Sequence, residues 1–227
     1  MKIIITRPAE DAGPLSEKLV ALGHQPIICA VLQIVPRSAI TIPKRPYQAI
    51  CLTSANAVRV LESIENIKSI PLLAVGPQSK HAALNKGFRN VNAEGGDVLG
   101  LHNFIVKNIQ PQDGPLLYIS GSETSGDLEG KLKKSGFDVD RIITYQAKPQ
   151  SLAGQEHKIK SADAVVLYSP RSAKLWVDEI KRLQLETSVL RIKHICLSAN
   201  VAANLPQSWL KATAETPTEM SVLALLD

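Results

Sequence analysis

Two stretches of the chain carry the residues best suited to holding a ligand. Residues 49–58 read AICLTSANAV and residues 164–173 read AVVLYSPRSA. In each, an apolar run stops at a serine, Ser54 or Ser169, and a helical pattern starts at once. A strand that ends this way presents backbone N–H groups and a hydroxyl at the positive end of a helix, a good place to hold an anion. Other predicted strand ends carry residues of the same kind: Thr6, Gly76, Ser120, Gly121 and Ser198. Small or hydroxylated residues let main-chain donors approach a ligand, and open α/β sheets bind ligands beyond the carboxyl ends of their strands. Serine and glycine also favour strand-to-helix turns for local reasons. The whole set, arranged on two similar lobes, is what points to a ligand cleft between them.

The elements that must position these residues alternate strand and helix. Apolar runs predict strands at 2–6, 50–53, 72–76, 90–93, 116–120, 164–169, 194–197 and 211–214. Helical spacing places Leu15, Leu19 and Leu22 before Gly23, and Val58, Leu61 and Ile64 on one face after Ser54. Helices are also predicted over 79–85, after an Asp97 cap, and around Leu128 and Leu132. Pro170 falls at a first helical position, with Leu175, Trp176 and Ile180 as the inner face. Thr216-Pro217-Thr218-Glu219 reads as a capping box opening a last helix with Val222, Leu223 and Leu226. Residues 150–160 are polar and show no element. The alternation predicts α/β architecture with mostly parallel sheets.

The order also repeats. KIIITRP at 2–8 echoes PLLYISG at 115–121, and the Ser54 junction echoes the Ser169 junction. The stretches aligned at Gly23 and Gly136, and the strands LLAVG and HICLS, follow at similar offsets. Between equivalent parts lie extended segments near 26–36 and 139–149, both longer than an ordinary strand. A paired two-stranded hinge would account for them, as would two lobes strung end to end.

Composition bounds the function. The chain has 227 residues, 44% hydrophobic and 4% aromatic, with a net charge of +5. A core is assured, and it must be aliphatic. Few aromatics and no basic stripe weigh against nucleic acid, whereas a mild positive field suits a polyanionic small molecule. Cys29, Cys51 and Cys196 sit inside apolar runs, as in a reducing compartment. The apolar start is too short for a signal peptide, and no run is long enough to span a membrane, so a cytoplasmic protein is expected. There is no GxGxxG, P-loop, GxSxG or metal-ligand spacing. Any catalysis would use neither metal nor bound cofactor, only positioning and hydrogen bonding.

ITRP at 5–8, LTSANAV at 52–58, AVGPQS at 74–79 and EGGD at 94–97 stand in order along the chain. VDRIITYQA at 139–147, VVLYSPRSA at 165–173 and PTEMSVLALL at 217–226 follow. In this order they resemble the uroporphyrinogen-III synthase family over essentially the whole chain. The resemblance implies two α/β lobes joined by a two-stranded linker: residues 1–34 with 150–227, residues 39–142, and 35–38 with 143–149 as the linker. It implies cyclisation of hydroxymethylbilane, a polycarboxylate, to uroporphyrinogen III with inversion of the last ring and loss of water. It further implies a monomer, receiving its substrate from the preceding deaminase.

On this resemblance Tyr145 maps to the family's tyrosine on the returning linker. With an ordinary pKa of about 10 it would stay protonated and could donate to a departing hydroxyl; it could equally only pack the hinge. Thr6, Arg7, Thr53, Ser54, Gly76, Ser169 and Ser172 match binding-side positions. Tyr168 faces the core or the cleft depending on strand phase. Ser198-Ala199-Asn200-Val201 stands where the family often has glycine then threonine, so at Ser198 backbone donors are the safer expectation. A catalytically silent binding protein for an anionic metabolite shares every one of these features, and turnover is what separates the two.

Overall fold

The computed structural model describes residues 1–226. The aliphatic runs become strands of two sheets. The first holds β1 (Lys2–Ile5), β2 (Gln25–Ile28), β9 (Ala164–Leu167), β10 (Lys193–Cys196) and β11 (Lys211–Thr213). Its order is β11-β10-β9-β1-β2, parallel at every pair. The second holds β3 (Leu32–Pro36), β4 (Ala49–Leu52), β5 (Leu72–Ala74), β6 (Val91–Ala93), β7 (Leu116–Gly121) and β8 (Val139–Pro149). Its order is β3-β8-β7-β4-β5-β6, with parallel pairing from β8 through to β6. The sheets belong to two compact units, one of residues 1–33 with 148 onward, the other of residues 34–147.

Ten α-helices are described: α1 (Ala9–Ala21), α2 (Ala55–Arg59), α3 (Pro77–Lys86), α4 (Val98–Asn108), α5 (Leu128–Lys134), α6 (Glu156–Lys160), α7 (Pro170–Arg182), α8 (Glu186–Val189), α9 (Ala199–Ala202) and α10 (Glu219–Leu223). The path β1-α1-β2 has the same topology as β7-α5-β8, and β9-α7-β10-α9-β11 the same as β4-α2-β5-α3-β6. The sequence echoes therefore correspond to equivalent strands in the two sheets.

Five local expectations change. α2 stops at Arg59, where the Val60 N–H closes onto the Asn56 carbonyl. Leu61 and Ile64 are still buried, but the chain delivers them through irregular turns. A three-residue apolar spacing serves turns as well as it serves a helix. The last helix is capped by Thr218, whose hydroxyl accepts the Ser221 N–H at 3.2 Å, because Glu219 is bound instead by Arg7 and Lys18. In α7 the buried face is Ala173, Trp176, Val177 and Ile180, with Leu175 beside it. The extended stretch at 26–36 breaks at residues 29–31 into β2 and β3 of different sheets, while the polar stretch at 150–160 ends in α6.

The cores are aliphatic. Ile3, Ile5, Leu15, Leu19, Val166 and Ile195 pack with Val222 in the first unit. The second sheet has a layer on each face, one holding Ile50, Leu52 and Ile119, the other Cys51, Leu116 and Tyr118. Burial pushes the Cys29 and Cys196 thiols up to about 11 and that of Cys51 to about 12.

His194, on β10, is a titratable ring buried in the first unit. It is fully buried, stacked on Trp209 at 4.7 Å, with Nδ1 3.2 Å from the Leu210 carbonyl. Burial pushes its pKa from 6.5 down to about 4. The unfolded chain therefore takes up a proton that the folded chain refuses. This contribution to stability is whole above the unfolded value and is lost as pH falls through the folded one, about 3 kcal/mol in all. The urea midpoint should fall between about pH 6.5 and 4, and the fall should be shallower in His194→Gln. An equal slope in the variant would assign the loss to other groups.

Candidate functional site

In the second unit the site is built at the carboxyl ends of β4 and β7 and beside them along the middle of β8. β8 pairs with β7 in regular register up to Ser120 with Ile143, but the next pair is Gly121 with Tyr145. Thr144 is the extra residue of a β-bulge. Strand alternation would send Tyr145 to the face of Val139, with Tyr118 and Cys51. The extra residue returns it to the face of Ile142, with Ile50, Leu52 and Ile119. There its hydroxyl lies 2.9 Å from the Ser54 hydroxyl, and its ring lies against Gly121. A Cβ on Gly121 would stand 2.6 Å from the ring Cζ, so only glycine leaves the ring this seat.

Ser54 is there because it caps α2. Its oxygen accepts the Asn56 N–H at 3.3 Å and also meets Tyr145. Its neighbour Thr53 has its hydroxyl 2.9 Å from that of Tyr118, whose pKa burial raises. Thr144 is fully buried, and its hydroxyl donates to the Ala57 carbonyl at 2.8 Å. Arg141 donates through Nε to the Ser120 hydroxyl at 2.8 Å, and through Nη2 to the carbonyls of Gly121 at 2.9 Å and Ser122 at 3.3 Å. Its guanidinium lies 5.6 Å from the Tyr118 ring centroid and 3.5 Å from a Glu129 oxygen. Gly76 is the N-cap of α3, with open space where a Cβ would be.

The first unit has its own edge, at the ends of β1, β9 and β10. Arg7 lies over the Tyr168 ring at 3.6 Å from its centroid, with Nη1 3.3 Å from Glu219. Tyr168 turns its hydroxyl inward; the atom is buried without a partner among the described residues, and burial raises its pKa. Ser169 caps α7 by accepting the Ser172 N–H at 3.0 Å, and its hydroxyl donates to that of Ser172 at 2.9 Å. Thr6 is fully buried and donates to the Val166 carbonyl at 2.9 Å, so its side chain joins β1 to β9 and does not face a ligand. Ser198 precedes α9 but makes no side-chain capping bond.

The helix ends differ in charge as well as in length. α7 and α3, which follow Ser169 and Gly76, have no carboxylate in the first turn, and neither do the short α2 and α9 after Ser54 and Ser198. α1 carries Glu10 and Asp11 there, and α5 carries Glu129. Acidic residues neutralise a helix N-terminus. The ends without them keep their positive field for something else, most strongly in the longer α7 and α3.

Of the residues read from the sequence, Thr53, Ser54, Gly76 and Tyr145 stand along one sheet edge of the second unit. Arg7, Tyr168, Ser169, Ser172 and Ser198 stand along that of the first. Direct contact joins Ser54 to Tyr145, Arg7 to Tyr168, and Ser169 to Ser172. No sequence motif marks Arg141, Thr144 or Tyr118 for the site, and Glu219 is read there only as part of a capping box. For Arg141 the sequence offers little signal, since β8 also carries Asp140, Gln146 and Lys148. A separate cavity of about 650 Å³ lies along residues 40–47 and 63–70, and none of these site residues lines it. Among the described residues no group of three or more His, Cys, Asp or Glu side chains is placed to hold a metal, and no helix is long and apolar enough to cross a membrane.

Comparison with known proteins adds a family to this geometry. A family model described as uroporphyrinogen-III synthase HemD matches residues 13–224. Among solved structures, uroporphyrinogen-III synthetase from Helicobacter pylori aligns with a TM-score of 0.68 and 18% identity, over 99% of this chain and 97% of that one. A mutant uroporphyrinogen III synthase from the extremely thermophilic bacterium Thermus thermophilus aligns with a TM-score of 0.53 and 15% identity, over 100% of this chain and 97% of that one. At these identities the structures speak for the fold. No curated protein matches the sequence.

Proposed function

The chain belongs to the uroporphyrinogen-III synthase family, and from that premise we propose that Tyr145 is its acid and the strand-end residues its carboxylate grip. The family's enzymes are cofactor-independent cyclising lyases of porphyrin and haem biosynthesis. The reaction closes hydroxymethylbilane to uroporphyrinogen III with inversion of the last ring and loss of water.

The observation that carries the assignment is the Ser54–Tyr145 contact at 2.9 Å, set up by a bulge that turns Tyr145 to the Ser54 face. In this reaction Ser54, whose oxygen accepts the Asn56 N–H, acts as donor to the Tyr145 oxygen, and Tyr145 passes its phenol proton to the substrate. Donated to the departing hydroxyl, it completes a water molecule and leaves a protonated azafulvene. Ring attack then gives the spiro intermediate, followed by fragmentation and re-closure. The proton lost when the closed ring regains aromaticity restores the tyrosine. A Ser54 donor also stabilises charge developing on the Tyr145 oxygen.

The substrate carries eight carboxylates on this reading. Arg7, with donors beyond the one that meets Glu219, is placed to receive some of them. So are the uncompensated ends of α7 and α3, entered through Ser169, Ser172 and Gly76, and the backbone donors near Thr53 and Ser198. Thr6 is fully buried with its hydroxyl spent on Val166, so it supports the end of β1 and reaches no carboxylate itself. We further assign residues 1–34 with 150–227 to one lobe, 39–142 to the other, and 35–38 with 143–149 to the linker. A cytoplasmic monomer that takes its substrate from the preceding deaminase completes the proposal.

Hydroxymethylbilane closes spontaneously to the type I isomer, so the isomer ratio is the test. The purified chain should yield type III product; type I alone would leave only a binding protein. Because exposed charge pairs are worth about 1 kcal/mol at 4 Å and are screened by salt, KM should rise with ionic strength while kcat stays nearly level. A salt-independent KM would remove the electrostatic grip.

A further inference from the structure

Arg141 reaches across from β8 to the end of β7 and the residue just beyond it. Through Nε and Nη2 it holds the Ser120 hydroxyl and the carbonyls of Gly121 and Ser122. The peptide unit whose carbonyl belongs to Gly121 has as its N–H that of Ser122. That N–H donates to the Tyr145 carbonyl at 2.9 Å. A continuous chain thus runs from the guanidinium, through one peptide group, to the backbone of Tyr145. A charged donor at one end polarises the peptide and strengthens the bond at the other.

Its position in the register explains why such a clamp matters. Thr144 is the unpaired residue of the bulge, and without it Tyr145 would face Tyr118 instead of Ser54. A bulge interrupts its own ladder and depends on other contacts to stay in place. Thr144 supplies one set, to the Ala57 carbonyl at 2.8 Å and the Ser120 carbonyl at 3.4 Å. Arg141 supplies the other on the opposite strand, and it fixes Gly121, the residue beneath the Tyr145 ring.

We infer that Arg141 is a positioning residue for the cyclisation, holding the β7–β8 bulge so that the Tyr145 hydroxyl stays on Ser54. The inference rests on Tyr145 being the acid, but its geometric part stands apart from that reading. Lysine keeps the charge of arginine yet lacks the planar fork that reaches two carbonyls and a hydroxyl together.

The experiment compares Arg141→Gln and Arg141→Lys with the parent chain, each alone and with Tyr145→Phe. The readouts are kcat and KM for type III product, thermal unfolding, and the ring resonance of 13C-labelled Tyr145, assigned by its loss in Tyr145→Phe. Both Arg141 variants should lose about tenfold in kcat with KM within twofold, shift the Tyr145 resonance, and have little further effect once Tyr145 is Phe. Should Arg141→Gln fail to fold, Arg141→Lys and Thr144→Val, which loosens the bulge from its other side, give the same comparison. An unmoved resonance, an equal kcat loss in the Tyr145→Phe background, or a rise in KM alone would overturn the positioning role. Wild-type kcat in Tyr145→Phe with a shifted resonance in Arg141→Lys would overturn the acid assignment and leave the positioning intact.

Discussion

Tyr145→Phe is expected to lower kcat for uroporphyrinogen III by about 10²- to 10³-fold, with KM within about twofold. General acid catalysis by a placed side chain is worth roughly this much. The substitution removes a single oxygen. The ring keeps its seat against Gly121 and its place among Ile50, Leu52 and Ile119. Ser54 loses one hydroxyl contact but keeps the Asn56 N–H, so the structural cost should stay near 1 kcal/mol. A kcat that falls with stability nearly unchanged separates chemistry from packing. In the assay, the product should revert towards the spontaneous type I isomer. An unchanged kcat would reduce Tyr145 to the packing role that its position allows.

The parts of this site that were legible in the sequence are those written in local chemistry. An apolar run ending in serine is visible in one dimension, and Ser54 and Ser169 do cap α2 and α7 as read. The doubled order of elements was legible for the same reason, since strand and helix patterns are local. What stayed hidden depends on register. Nothing in VDRIITYQA says that Thr144 is skipped when β8 pairs with β7, so the face that Tyr145 takes could not be read. The role of Arg141 was hidden with it, because its partners lie on another strand.

The capping box at 216–219 shows the same competition from the other side. The local pattern was sound, but Glu219 had better partners in Arg7 and Lys18, far away in sequence. The helix therefore starts two residues later, from Thr218. Thr6 is a related case. Its place at a strand end was read correctly, but the neighbouring strand claims its hydroxyl through the Val166 carbonyl.

Gly121→Ala should be nearly as damaging as the loss of the tyrosine hydroxyl, although it removes no functional group. The added methyl would stand 2.6 Å from Cζ, 2.9 Å from Cε1 and 3.0 Å from the hydroxyl of Tyr145. Such contacts are not tolerated, so one side must move. Gly121 is held by Arg141 and paired in the sheet, whereas the tyrosine ring can swing, and swinging takes its hydroxyl off Ser54. We expect kcat to fall by about 10²-fold, with about 1–3 kcal/mol of stability lost to overpacking. The double variant Gly121→Ala with Tyr145→Ala is the decisive control. With the ring gone, the methyl has room, and alanine at 121 should then cost little stability beyond that of Tyr145→Ala alone. That non-additivity is the signature of two groups competing for one space. If Gly121→Ala kept wild-type kcat, the rate would not depend on where the ring sits, and Tyr145 would have to act from a different pose.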